Sequence, residues 1–85
     1  MFYVYVLESL KNKKLYFGYT EDLKKRVKEH NSGRNFSTRP HIPWSIIYYE
    51  ACLEKDDATR REKYLKTTQG KKMLKLRLGK YFNLK

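Results

Sequence analysis

The chain has 85 residues, 20 of them Lys or Arg against 9 Asp or Glu, which leaves a formal net charge of +11. A fold of this size buries only about 60 to 65% of the surface its unfolded chain exposes, so residues 1–85 are expected to form one domain whose aromatic side chains fill much of the core. That density of positive charge points to a polyanionic partner, whereas the longest apolar run, Phe2 to Leu7, is far short of the roughly 18 residues of a membrane span.

Phe2 to Glu8 is β-branched and aromatic and reads as a strand. It carries no positive stretch of the kind that opens a signal peptide. The polar SLKNKK segment, Ser9 to Lys14, turns it into a second strand, Leu15 to Tyr19. Alternation places Tyr3, Tyr5 and Leu7 on one face and Phe2, Val4 and Val6 on the other, so both faces are expected to meet other elements. Thr20 is the expected cap of a first helix over Glu21 to His30, with Glu21 and Asp22 complementing its dipole and NSG at Asn31 to Gly33 ending it. A basic loop without period follows from Ser32 to Pro43, and a loop this long in a small chain is often functional. Trp44 to Leu53 reads as a third strand. Its Cys52 is the only cysteine in the chain, which suits packing in a reducing, cytoplasmic compartment. Asp56 is the expected cap of a second helix over Asp57 to Lys66, and a third is expected from Gly70 or Lys71 to Leu78. No helix predicted here is the long basic amphipathic kind that a membrane surface takes.

Two helices place charge where apolar residues belong. With Leu23 at zero on a helical wheel, Val27 falls at about 40°, His30 at about −20° and Arg26 at about −60°, while Lys24, Lys25, Lys28 and Glu29 face away. In the second helix, with Ala58 at zero, Leu65 falls at about −20° and Glu62 at about 40°. Charge on a core-facing stripe is costly unless it is paired, binds a metal or lines a wet cleft. Two explanations stand at this point: a structural pair of Glu62 with Arg26 or with Lys66, or one site to which both helices contribute over a sheet carrying Tyr5 and Tyr16. In the loop, Arg34, Phe36, Thr38, Arg39 and His41 mix cations with an aromatic, as backbone-contacting and stacking surfaces do. One cysteine and two histidines give no zinc pattern, and the glycines form no phosphate-cradling loop before a helix.

Four pieces of the sequence, taken in order over Phe2 to about Lys66, resemble the GIY-YIG nuclease domain in its small stand-alone form. YVY at Tyr3 to Tyr5 stands where the GIY triplet belongs, and YFG at Tyr16 to Gly18 where YIG belongs. LKKRVKEHNSG follows with Arg26 and His30, and RREKYLK brings Glu62 to the place of the metal-binding glutamate. Tyr3 replaces the first glycine of the pattern, and no asparagine after Glu62 is assignable to the family's. The resemblance implies an α+β fold, a three-stranded antiparallel sheet flanked by about three helices. It also implies a Mg²⁺- or Mn²⁺-dependent endonuclease hydrolysing DNA phosphodiester bonds, with Glu62 as the metal ligand and Tyr5, Tyr16, Arg26 and His30 as catalytic residues. Sequence leaves the general base open among Tyr5, Tyr16 and His30. Lys24, Arg34, Thr38, Arg39 and His41 are the expected nucleic-acid contacts, with DNA as the substrate and RNA also compatible. The alternative is a non-catalytic nucleic-acid-binding module of the same fold, which would have no need of a carboxylate beside bound phosphate.

Overall fold

In a computed structural model of the chain, which describes residues 1–83, three strands and three helices follow in the order β1 (Phe2–Ser9), β2 (Leu15–Thr20), α1 (Leu23–Asn31), β3 (Trp44–Cys52), α2 (Lys55–Leu65) and α3 (Thr68–Arg77). The sheet is antiparallel throughout with β1 at its centre, in the order β2-β1-β3. The alternation read from β1 sorts the core into two halves. Val4 and Val6 pack with Phe17, Ala58, Leu65 and Leu74 beneath α2 and α3. Tyr5 and Leu7 pack with Trp44, Tyr16, Leu23, Val27 and Ile42 beneath α1. The sheet is thus covered on both faces, which is why β1 has apolar residues on both sides of its pleat.

Helix starts differ from those expected. α1 begins at Leu23 because Asp22, in extended backbone, accepts the Lys25 N–H at 3.1 Å, while Thr20 remains in β2 and turns its hydroxyl onto the Asp22 backbone. α2 begins at Lys55 after Glu54, so Asp56 and Asp57 occupy its first turn, where carboxylates complement the helix dipole, and Asp56 is no cap. α3 begins at Thr68 because Thr67 accepts the Gly70 N–H at 3.0 Å. Gly70 therefore lies inside the helix. A Cβ there would sit 2.0 Å from the Tyr64 carbonyl oxygen, so its hydrogen atom is what lets α3 start against the end of α2.

The basic loop is more ordered than its composition suggests. Pro40 supports a short 3-10 turn over Arg39–His41. Asn31, the last residue of α1, uses both ends of its amide on the Trp44 backbone, accepting its N–H at 2.6 Å and donating to its carbonyl at 3.0 Å. Both ends of the loop are thereby fixed. Among the described residues no helix is long and apolar enough to cross a membrane.

Candidate active site

Gly18 on β2 lies directly opposite Tyr5 on β1. A Cβ at Gly18 would fall 2.4 Å from the Tyr5 ring, so the glycine is what lets the phenol lie across β2 toward α1. The Tyr5 hydroxyl there meets His30 Nε2 at 2.9 Å, and the other ring nitrogen, Nδ1, lies 2.9 Å from Thr38 Oγ1. One assignment satisfies all three groups: the phenol donates to Nε2, Nδ1–H donates to Thr38, and the Thr38 hydroxyl points to the Asn35 carbonyl at 3.5 Å. Tyr5, His30 and Thr38 are each only 1% exposed. Tyr16 completes the cluster from β2, its ring centroid 4.8 Å from that of His30 and 6.3 Å from that of Tyr5, and it is half-buried.

Burial sets the protonation of this pair. It pushes the Tyr5 phenol far above the ordinary tyrosine range, helped by Tyr16 and by the Glu62 and Glu29 carboxylates and opposed by Arg26. Burial also lowers His30 below the usual histidine value, and the Arg26 guanidinium one turn earlier adds to the effect. Tyr5 is therefore a neutral donor and His30 a neutral acceptor near pH 7, as the hydrogen bonds require.

The structure brings Tyr5, Tyr16 and His30 into contact, with Arg26 one turn before His30 on α1 and Glu62 on α2. Arg26 and Glu62 do not pair with each other. Arg26 Nε lies 3.4 Å from Glu29, with the side chain 42% exposed, and Glu62 accepts a contact from Lys66 Nζ at 3.0 Å. The i,i+4 pair expected for Glu62 is thus formed. Among the described residues no group of three or more His, Cys, Asp or Glu could hold a metal ion.

The expected nucleic-acid contacts separate. Lys24, Arg34 and Arg39 are exposed. His41 is half-buried, with Nδ1 2.8 Å from Asn12 Nδ2 and its carbonyl accepting the Ser9 hydroxyl, so it ties the loop to the β1–β2 turn. Thr38 is corrected outright: it faces inward, spends its hydroxyl on His30 and its carbonyl on Trp44 Nε1 at 2.9 Å, and offers nothing to a bound strand. Sequence reading missed this positioning role, and also Asn35, whose Oδ1 accepts from Ser37 N, Ser37 Oγ and Thr38 N. An Asn two or three residues ahead of Ser and Thr was the available signal, since such side chains fold the backbone onto themselves.

The GIY-YIG catalytic domain family matches residues 1–75, nearly the whole cluster-bearing chain, and the chain belongs to that family, a nuclease-type fold. More narrowly, it is 46% identical over 65 residues to UPF0213 proteins of Streptococcus pyogenes serotypes M3 and M5, covering 75% of this chain and 70% of each relative. It is also similar to the UPF0213 protein BH0048 from Bacillus halodurans, solved in solution by NMR, with 36% identity, a TM-score of 0.54, and coverage of 87% of this chain and 82% of that one.

Proposed function

We propose that this protein is a divalent-metal-dependent DNA endonuclease, selecting its substrate by structure or with weak sequence preference, with DNA repair or recombination in the cytoplasm as its setting. The observation that carries the reading is the cluster itself: two motif tyrosines packed on a buried histidine, with a partly exposed arginine one turn before it. A merely structural network would have no use for the exposed half of Arg26 beside them.

Access separates the three candidate bases. Tyr5 and His30 are buried and mutually satisfied, whereas Tyr16 is half-buried against the His30 ring and is the phenol that incoming water can meet. Water attacks phosphorus while hydrogen-bonded to the Tyr16 oxygen, the bond to the leaving oxygen breaks, and the proton that the water sheds ends on that leaving oxygen. Arg26 grips the phosphate oxygens, whose growing negative charge its planar fork of donors matches. Tyr5, His30 and Thr38 hold the Tyr16 ring in place.

Glu62 fits a hard cation that keeps most of its own waters and needs one protein carboxylate, as Mg²⁺ does, and Mn²⁺ suits the same oxygen donor. When bound, that ion supplies positive charge to the leaving oxygen. The Glu62–Lys66 contact favours the second reading, a binding module without cleavage, because it occupies the carboxylate. An i,i+4 pair of this kind is worth only about 0.3 to 0.5 kcal/mol, however, and Lys66 is half exposed and able to swing away. Incubation with nicked, branched, single-stranded and supercoiled DNA in Mg²⁺ or Mn²⁺ decides between them. Cation-dependent cutting that Arg26→Ala abolishes is expected, and a protein that binds all four substrates but cuts none is the binding module.

A further inference from the structure

Phe36 is 80% exposed, more than any other large hydrophobic residue among those described. It does not sit on a slack loop. Asn35 beneath it accepts three hydrogen bonds and also receives the Arg39 N–H on its carbonyl at 2.9 Å, and Thr38 two residues later is locked against His30. The chain thus holds an aromatic ring in water at a fixed place when a turn of ordinary polar residues would have served. Two residues of backbone reach at most about 7 Å, so the Phe36 Cα lies within that distance of Thr38, the residue hydrogen-bonded to His30. The Arg39 guanidinium lies over the ring, 5.2 Å from its centroid, and the high exposure leaves stacking surface uncovered. Arg34, also exposed, flanks the same loop.

We infer that Phe36 is a stacking platform for an unpaired nucleobase of the bound strand, with Arg39 and Arg34 taking the flanking phosphates. An exposed aromatic beside cations is the pattern by which single strands are held, because every base has a π-face and every nucleotide a charge. Bases within a duplex have both faces covered by their neighbours, so a ring can stack on them only after they are unstacked. The platform therefore selects DNA carrying a single-stranded segment, a flap, gap or branch point, over continuous duplex. This deepens the endonuclease reading and rests on it for the identity of the polyanion.

The test uses binding in the absence of divalent metal, so that it is read apart from cleavage. Trp44 is buried and is the only tryptophan, which makes Phe36→Trp a local fluorescence reporter when compared with the wild type. Emission from Phe36→Trp is expected to be quenched by a single-stranded oligonucleotide of about ten nucleotides and not by a blunt duplex. Phe36→Ala is expected to weaken single-strand binding by about 5- to 150-fold, to leave duplex binding unchanged, and to be rescued by Phe36→Tyr. Quenching by both ligands, an equal loss for both, or no loss at all overturns the proposal. A protein that fails to cut but gives the expected pattern loses only the endonuclease reading, and one that cuts while Phe36→Ala binds normally loses only this one.

Discussion

His30 is the residue on which the site turns, since it joins Tyr5 from the sheet to Thr38 from the loop while its ring lies against Tyr16. Its lowered pKa makes stability depend on pH in a definite direction. Below about pH 6.5 the unfolded chain takes up a proton that the folded one resists, so stability present above that pH is lost as pH falls, at no more than about 1.4 kcal/mol per pH unit for one proton. Urea midpoints measured from pH 7.5 to 5.5 should therefore decline for the wild type and decline less for His30→Gln. Thr38→Val leaves the buried Nδ1–H without its acceptor and should cost about 1 to 3 kcal/mol, with Thr38→Ser close to wild type in the same urea titration. The helical period of α1 was enough to turn His30 inward on paper. Thr38 could not be read in the same way, because its loop has no period and its direction is set by Asn35 and by Trp44 at the start of the next strand.

At the scale of elements, β1 was legible because alternation in a central strand records both faces of the sheet, and Val4 and Tyr5 duly entered separate halves of the core. Helix starts were less so. Thr20 and Asp22 are both good caps by residue type, and the choice between them rests on backbone angles fixed by where β2 ends. Pairing was legible in part: Glu62 takes Lys66, one of the two partners expected for it, whereas Arg26 takes Glu29, its neighbour along α1, so a contact between the two helices was not needed. The α2–α3 junction makes the sharpest demand on a single position. Gly70→Ala would place its methyl against the Tyr64 carbonyl and the Leu65 Cα, backbone atoms that cannot give way, and should cost about 1 to 3 kcal/mol or more in a denaturant titration.

At the scale of the whole molecule, a net charge of +11 surrounds a largely neutral cluster of rings. Most lysines face away from the core, so they act on a polyanion collectively and carry little sequence information. DNA affinity should accordingly fall steeply and linearly on a plot of log K against log salt, and a flat dependence would remove the polyanion from the account. The central claim is that bound phosphate, once gathered by this charge, is cut with the help of the Glu62 carboxylate. It is tested most directly by single-turnover cleavage of a branched or nicked duplex in Mg²⁺ by wild type and Glu62→Gln, with DNA binding measured alongside. The account predicts that the rate falls by roughly 10²- to 10³-fold or more while affinity is kept. Equal cleavage by the two proteins would contradict it.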